Sequence, residues 1–515
     1  MSTEIELKYL VSSQADQQSV DEIINSMLAK KQLNFTFEEK ALANRYFDTQ
    51  DQRLRQLDFG YRIRTVNGCH EQTIKTAGVV VGGLHQRPEF NVDIEQPIPN
   101  LSLFPQNIWP DNYQSSKNSD DKLKSLQDNL LSLFTTNFTR KTWLITDAQQ
   151  NVIELAFDQG TIESGGKISE ISELELELVS GEREALFLLA NLLFECLLMR
   201  PGLKSKAARG YALWLDKTSQ VELTPFELVP LGEAQTIEQA FIQGLNFSLT
   251  HLQQMVDAYL AAPKLAYLSK IVELMALLRH GFWMFEQHLP ANAKKVRDEL
   301  SYFLQLFKWV DGATYIKELT DKTGNYRKRL EFSEQLFSQL NIEKRRFPEQ
   351  QHVTELLLGH RFNALQLSSL QLLLQMSDEN QEQSNSVVAL FSFAKSCLNN
   401  GLENVFSIDK QALTLTEEQY LQEQKFVIRC LLTGSWFGDL YDKTERLSFR
   451  GPWLDIKHGL SELQTLWVLQ KQLQTLEDKP TKLVNWHHAK VDSLLVALDS
   501  SRTTALAMTP YWLSS

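Results

Sequence analysis

Hydrophobic and polar residues alternate one by one in short stretches of roughly the first 215 residues. A period of two is typical of β-strands that have one apolar and one polar face. Glycines such as Gly68 and Gly160 separate these stretches, as expected at turns. Helical patterns interrupt them at roughly 15–30, 122–134 and 182–198. The alternation predicts eight strands, at 4–11, 43–48, 61–66, 71–76, 87–94, 139–145, 152–157 and 171–179.

The pattern changes near residue 218. Residues 218–235 contain Pro225 and Pro230 and have no clear period, which indicates a linker. Beyond it, apolar residues recur every three or four positions to the end of the chain, as in amphipathic helices. The sequence therefore predicts an α+β protein with an antiparallel β domain at 1–217, a linker at 218–235 and an all-α helical bundle at 236–515.

The charge and the cysteines narrow the function classes. The chain of 515 residues carries a net charge of −12, whereas general nucleic-acid or anionic-membrane binders are usually basic. Its first residues have neither the basic nor the apolar region typical of a signal peptide, so we expect none, and the chain contains no apolar run long enough to span a membrane. We therefore expect a cytoplasmic protein with neither nucleic acid nor membrane as partner. A reducing compartment without a structural metal is also indicated by the scattered Cys69, Cys196, Cys397 and Cys430.

Charged side chains occupy one face of most predicted strands. Residues i, i+2 and i+4 of a strand share a face, and three carboxylates share one face of the last predicted strand, 171–179. Taken singly, such strands are typical of a sheet that is half exposed to water. However, adjacent carboxylates repel each other, and the opposite faces are strongly apolar and need a cover. An alternative is a closed tunnel with apolar faces outward under helices and charged faces around the interior.

Such an interior would combine cations with carboxylates. Arginine and lysine suit phosphate oxygens, and clustered carboxylates suit Mg²⁺ or Mn²⁺. A wet interior of this kind would bind a polyanion together with divalent ions. The cations in it would be Lys8, Arg62, Arg64, Lys75, Arg87, Arg140, Lys206 and Arg209, and the carboxylates would be Glu4, Glu6, Glu89, Asp158, Glu173, Glu175 and Glu177.

A set of short motifs covers about residues 1–215 in order. It comprises Glu4-Ile5-Glu6-Leu7-Lys8, Tyr46-Phe47-Asp48-Thr49, Gly60-Tyr61-Arg62-Ile63-Arg64, Thr73-Ile74-Lys75, Arg87 with Glu89, Asp158 with Gly160, Glu173–Glu177 and Ser205-Lys206-Ala207-Ala208-Arg209-Gly210-Tyr211. This region resembles the CYTH superfamily of triphosphate tunnel metalloenzymes. The helical remainder resembles a CHAD domain, and the order of the two domains is similar to that in bacterial inorganic triphosphatases.

The resemblance implies an eight-stranded antiparallel β tunnel that hydrolyses tripolyphosphate to pyrophosphate and phosphate. Glu4 and Glu6, facing Glu173 and Glu175, would hold Mg²⁺ or Mn²⁺, and Glu177, Asp158 and Glu89 would complete the metal or water site. The catalytic set would be Lys8, Glu4, Glu6, Arg62 and Arg64. The phosphate oxygens would be bound by Lys8, Arg62, Arg64, Lys75, Arg87, Arg140, Lys206 and Arg209.

Other functions stay open at this point. The superfamily also includes adenylate cyclases and thiamine triphosphatases, which need room for a base or a thiazolium group at the tunnel entrance. A third hypothesis is a polyphosphate-binding adaptor with an inactive tunnel. The helical half could itself bind polyphosphate through residues such as His280 and His360, or it could serve in structure and partner docking.

Overall fold

The structure is a computed structural model of the 515-residue chain. It describes residues 2–12, 19–114, 119–216, 223–232, 234, 236–321, 323–326, 330, 333–380, 387–407 and 412–513. The chain forms two compact units, one of Met1–Gln220 with Glu355–Leu367 and one of Val221–Thr354 with Ser368–Ser515. The domain boundaries expected from the sequence stay a prediction.

The first unit is built around a closed ring of strands. Among the described residues, eight of ten strands pair in the order β1-β9-β8-β7-β2-β3-β4-β6, and β6 pairs back to β1. Every pairing in the ring is antiparallel, which confirms the predicted fold class. The strands are β1 Ser2–Val11, β2 Asn34–Asp48, β3 Gly60–Val66, β4 Cys69–Lys75, β5 Val79–Val81, β6 Leu84–Ile94, β7 Leu131–Thr146, β8 Val152–Ser164, β9 Lys167–Ser180 and β10 Met199–Pro201.

Each of the eight predicted strands lies within or overlaps one strand of this ring. The prediction was wrong at 131–134, which was assigned to a helix and belongs to β7. Leu130, Leu133 and Phe134 have a spacing that also fits a helix, but residues 131–134 pair with β2, where Leu131 is opposite Asp48. Tertiary pairing therefore decides a pattern that is locally ambiguous.

Short helices cover the apolar outer face of the ring. Tyr9 of β1 packs edge-on against Phe194, with ring centroids 5.2 Å apart, and the Trp143 indole of β7 donates a 2.8 Å hydrogen bond to Asn25. On the other side, Ile63 and Ile74 pack in one cluster with residues of the 101–126 segment. The described helices within residues 1–220 are α1 Val20–Lys30, α2 Arg53–Gln56, α3 Asp111–Gln114, α4 Ser119–Asp128, α5 Glu184–Phe194 and α6 Lys206–Trp214.

The inner face of the ring is charged over only part of its length. An inner cluster of apolar side chains includes Leu42, Phe138, Ile162 and Ile171, and it packs against Tyr211 of α6. The interior is therefore ionic in one part and hydrophobic in another. From the sequence we expected charged residues on the inner face, and we did not predict this apolar cluster.

The second half of the chain is helical throughout the described residues, as predicted. Trp436 lies at its centre, fully buried, and donates a 2.9 Å hydrogen bond to the carbonyl of Leu277. None of the described helices has the length and apolar character needed to cross a membrane. The helices are α7 Ile237–Ala261, α8 Leu265–Met284, α9 Ala293–Leu306, α10 Trp309–Thr320, α11 Glu334–Lys344, α12 Gln350–Leu358, α13 His360–Asn380, α14 Val387–Asn404, α15 Glu417–Phe437, α16 Lys443–Gln474 and α17 Thr481–Ala507.

Candidate active site in the charged cavity

A polar cavity of about 330 Å³ lies inside the ring of strands. Its lining comes from all eight ring strands and from the start of α6. It contains eleven of the residues predicted from the sequence: Glu6, Lys8, Arg62, Arg64, Lys75, Arg87, Glu89, Arg140, Glu175, Glu177 and Lys206.

Strand register brings these side chains together. Residues directly opposite in an antiparallel pair point to the same side of the sheet. Glu6 and Lys8 of β1 are opposite Glu177 and Glu175 of β9. Arg140 of β7 is opposite Asp158 of β8, which in turn is opposite Glu173 of β9. The charged faces of four successive strands therefore form one continuous inner surface.

A buried ionic cluster forms the acidic side of the cavity. The Lys8 ammonium donates a 2.6 Å hydrogen bond to Glu175, and Lys206 lies 3.0 Å from the same oxygen and 2.6 Å from Asp158. The Arg140 guanidinium binds Asp158 through two hydrogen bonds of 2.7 Å and also contacts Glu175. Each of these charges is compensated by opposite charges, as buried ions require.

The ion pairs in this cluster determine the pKa values of its members. Burial alone would lower the pKa of Lys8, but the carboxylates of Glu175, Glu6 and Glu173 hold the pKa well above its usual value. Burial alone would raise the pKa of Glu175, but Lys206, Lys8 and Arg140 hold this pKa well below its usual value. Both groups are therefore charged at neutral pH.

Three residues that were predicted as site residues, Asp158, Glu173 and Arg209, are absent from the described cavity lining. Asp158 and Glu173 are fully buried, and both contact Lys206. Arg209 lies 3.4 Å from Glu173 and donates a 3.1 Å hydrogen bond to Ser169. In this arrangement they support the residues that face the cavity. Their predicted contacts with a metal or phosphate stay predictions.

Cations from β3, β4 and β6 form the opposite wall. Arg64 donates a 2.9 Å hydrogen bond to Asn44, and its pKa is lowered to about 10 by burial and by the neighbouring Arg62 and Arg140. Glu89 lies 3.3 Å from Arg62 and 2.9 Å from Lys75. Mutual repulsion among the three arginines favours binding of an anion between them.

Two guanidinium nitrogens in this wall have unsatisfied hydrogen-bonding capacity. The Nε atoms of Arg62 and Arg87 are buried, and neither has a hydrogen-bond partner among the described residues. Leaving a buried charged donor without a partner is costly. Both arginines line the cavity, so an anionic ligand would satisfy donors that the protein itself leaves unused.

Comparison with known proteins agrees with this geometry. The family model of the CYTH domain matches residues 2–211. This region is a CYTH domain. A search of curated proteins finds an inorganic triphosphatase of Haemophilus influenzae that is 35% identical over 227 residues, which is 42% of this chain and 59% of that protein. The chain thus spans less than two thirds of that relative's length.

Solved structures similar to parts of this chain have a lower sequence identity than this relative. A Hippeastrum protein, described as a putative adenylyl cyclase with a dominant triphosphatase activity, is 18% identical and has a TM-score of 0.28 over 41% of this chain and 95% of its own. The CHAD domain of Ricinus communis is 16% identical, with a TM-score of 0.36 over 56% of this chain and 98% of its own.

The carboxylates of the CYTH domain fit a divalent cation. Oxygens of Asp158, Glu173 and Glu175 lie within 4.8 Å of one another. Mg²⁺ and Mn²⁺ prefer such oxygen donors. Lys8, Lys206 and Arg140 already neutralise these three groups, and two further carboxylates, Glu6 and Glu177, face the cavity, with Glu6 3.7 Å from Lys8. The backbone of Glu4 lies in β1 opposite Arg87, and its side chain is outside the described part of the structure.

The sequence prediction missed Glu154. This residue of β8 lines the cavity and is directly opposite Glu177, which is opposite Glu6 on the next strand. Three carboxylates on adjacent strands therefore share one patch of the inner face. The signal was present in the sequence, since Glu154 and Asp158 are four residues apart in one strand and so share a face.

Uncharged residues of the CYTH domain complete the cavity. His85 is buried and donates a 2.8 Å hydrogen bond from Nε2 to the carbonyl of Gly202. Its pKa is lowered, mainly by burial and to a smaller extent by the positive charge of the nearby Lys8. Tyr46 and Phe138 provide aromatic surface next to the arginines. His85, Arg87 and Glu89 alternate along one strand and so share a face, which agrees with the cavity lining.

His280 and His360, named above for the helical half, are not among the described residues that line this cavity. His280 is buried and hydrogen-bonded to Thr433 at 2.8 Å. The basic run 327–329 lies outside the described residues. Binding of polyphosphate by the helical half stays a prediction.

Proposed function

We propose that the CYTH domain hydrolyses inorganic tripolyphosphate to pyrophosphate and phosphate in a metal-dependent reaction. The observation that carries the proposal is the pair of buried, unpartnered Nε atoms of Arg62 and Arg87 in a wall of cations. The carboxylates opposite that wall supply the second requirement, a site for a divalent ion. Phosphoryl transfer depends mainly on positioning and on charge stabilisation, and both are available here.

The substrate would lie along the cationic wall. Arg62, Arg64, Arg87 and Lys75 would bind the phosphate oxygens, with guanidinium groups suited to two-point contacts. Arg140 and Lys206 already hold carboxylates, so their role would be to join the cationic wall to the acidic one. A linear polyanion without a bulky group would fit the cavity of about 330 Å³.

Glu6, Glu177 and Glu154 would hold Mg²⁺ or Mn²⁺, with Glu175 next to them. When bound, the ion supplies neutralisation of phosphate charge and activation of water. Lys8 stays an ammonium because its pKa is raised, so it stabilises charge on the reacting phosphoryl oxygens and does not accept a proton. In the overall reaction a water oxygen bonds to phosphorus and one phosphoanhydride bond breaks.

The proposal is tested by phosphate release from a panel of substrates. Purified full-length protein would receive tripolyphosphate, ATP, thiamine triphosphate or long polyphosphate, each with Mg²⁺, Mn²⁺ or a chelator. We expect the fastest turnover with tripolyphosphate and none with chelator. Equal rates on ATP and tripolyphosphate would contradict an inorganic substrate, and binding without turnover would favour the adaptor hypothesis.

A further inference from the structure

A second cavity, separate from the charged one, lies within the helical unit. It has a volume of about 480 Å³ and is lined by residues of α8, α14 and α15 together with Gln287. Small-molecule sites typically measure about 300–1,000 Å³. The cavity is therefore large enough for a ligand the size of a nucleotide.

One face of each helix lines this cavity. On α14 the polar residues Ser396, Asn400 and Asn404 recur every four positions, so they stand above one another on the same side of the helix. All three side chains are exposed, so their polar groups are accessible to a molecule bound in the cavity.

The cavity is electropositive in an acidic protein. Its described lining contains Arg429 and no carboxylate, although the whole chain has a net charge of −12. The Thr433 hydroxyl donates to the Arg429 carbonyl at 3.0 Å and so accepts from Nε2 of His280 at 2.8 Å. Burial, Arg429 and Arg279 lower the pKa of His280 to about 4, which leaves a neutral imidazole beside one cation.

Another part of the lining is aromatic. Trp283 is 58% exposed, and its ring stacks on His280 with centroids 5.5 Å apart and an angle of 28° between the planes. Phe393, Phe426 and Met284 continue this surface. A large exposed aromatic ring in a concave site offers a face for stacking.

We propose that this cavity binds a small molecule that has a planar ring and a single anionic group. The ring stacks against Trp283, the anionic group pairs with Arg429, and the amides of Asn400 and Asn404 bind the polar atoms between them. A nucleoside monophosphate and an aromatic carboxylate share this chemistry. The proposal is independent of the reaction proposed for the CYTH domain.

Isothermal titration of the full-length protein, without divalent metal, tests the proposal. The probes are AMP and anthranilate, with adenosine and inorganic phosphate as fragments that lack the charge or the ring. We expect AMP, anthranilate or both to bind at least tenfold more tightly than either fragment. If neither binds, or if phosphate alone binds as tightly, the proposal is wrong.

Two variants and one control locate the binding site. Arg429→Gln and Trp283→Ala are each expected to weaken binding at least tenfold, while both proteins keep the wild-type circular dichroism spectrum. Arg346→Gln removes an exposed arginine at the end of another helix and should leave binding unchanged. Equal losses in all three variants would contradict the assignment.

Competition separates this cavity from the charged one. Excess tripolyphosphate without metal should not displace AMP, and Arg429→Gln should retain wild-type phosphate release from tripolyphosphate if the CYTH domain is the hydrolase. Displacement of AMP by tripolyphosphate would place the binding in the CYTH domain and overturn the proposal. An inactive wild-type protein that still binds AMP would refute only the proposed hydrolysis.

Discussion

The Nζ atom of Lys8 lies 2.6 Å from Oε1 of Glu175, and the two residues are directly opposite each other on β1 and β9. This pair links the cations of the cavity to its carboxylates. We expect Lys8→Met to lower tripolyphosphate turnover by about 10²–10³-fold, the usual effect of removing one charge-stabilising donor. The fold should survive because Lys206 and Arg140 still compensate Glu175.

Steady-state phosphate release, with circular dichroism as a check of folding, measures this effect. The matched control is Lys141→Met, since Lys141 is paired with Asp21 at 2.8 Å and lies outside the cavity lining. A partly exposed pair of this kind contributes about 0–1 kcal/mol, so the control should be active and stable. A folded Lys8→Met protein with wild-type turnover would refute the role of Lys8.

Glu154→Gln tests the carboxylate patch formed with Glu177 and Glu6. Replacing the carboxylate with a neutral amide should raise the Mg²⁺ concentration needed for half-maximal activity by at least about tenfold, since even outer-shell substitutions cost about 10–100-fold. Activity is measured against Mg²⁺ concentration at saturating substrate. Glu163→Gln, in the same strand but exposed, is the control and should leave the metal requirement unchanged. An unchanged requirement in Glu154→Gln would remove this residue from the proposed metal site.

The Glu175 cluster predicts a defined pH dependence of stability. Because the folded pKa of Glu175 is lowered, its contribution is present above the unfolded value of 4.5 and is lost as the pH falls through the folded value. The raised pKa of Lys8 gives a contribution that is present below 10.5 and is lost as the pH rises through the folded value. Between these limits the stabilisation should not vary with pH.

Thermal unfolding of wild type and Glu175→Gln across this range measures the contribution. The difference in midpoint temperature should be constant from about pH 6 to 9 and should shrink below pH 4.5 as the wild-type carboxylate takes up a proton. Glu163→Gln should show no such change. A difference that grew on acidification would reverse the predicted sign.

Alternation of apolar and polar residues was enough to predict the eight strands of the ring, because each strand has one covered face. It could not give their full lengths. In β2 the residues before Ala41 are exposed on both faces, so burial does not impose a clear period there. The first residues of β7 have helical spacing, and only the partner strand β2 decides their conformation.

The candidate site could be predicted as a set of residues but not as an arrangement. Same-face spacing identified Lys8 and Glu175, yet the register that pairs them depends on how β1 and β9 align. For the same reason the sequence could not separate Glu173, which is buried among cations, from Glu177, which lines the cavity. The inner apolar cluster around Phe138 also depends on the position of α6.

Gly281 allows close packing around Trp436. A Cβ atom at this position would lie 2.0 Å from Cζ2 of Trp436, so Gly281→Ala should force the indole or the helix to move. We expect destabilisation of about 1–3 kcal/mol, typical of overpacking. At Gly312, also within a helix, the nearest atom to a Cβ would be 3.8 Å away, an ordinary contact, and Gly312→Ala should stabilise by up to about 1 kcal/mol. Urea unfolding measures both, and equal effects would contradict the packing argument.

Tyr211 connects α6 to the end of β2. Its hydroxyl donates a 2.7 Å hydrogen bond to the fully buried Asp48, which also accepts from the backbone N–H groups of Leu54 and Arg55. A hydrogen bond to a charged group contributes about 1.5–3 kcal/mol, so Tyr211→Phe should lower the free energy of opening of α6 by this amount. Hydrogen exchange of peptides that cover Lys206–Trp214 measures it.

The same substitution should affect substrate binding, because α6 begins at Lys206 in the cavity. We expect a higher KM for tripolyphosphate, with kcat changed less. Tyr9→Phe is the control, since Tyr9 is equally buried and its hydroxyl has no hydrogen-bond partner among the described residues. If Tyr211→Phe exchanged and bound substrate like Tyr9→Phe, the bond to Asp48 would not be what holds α6 against the ring.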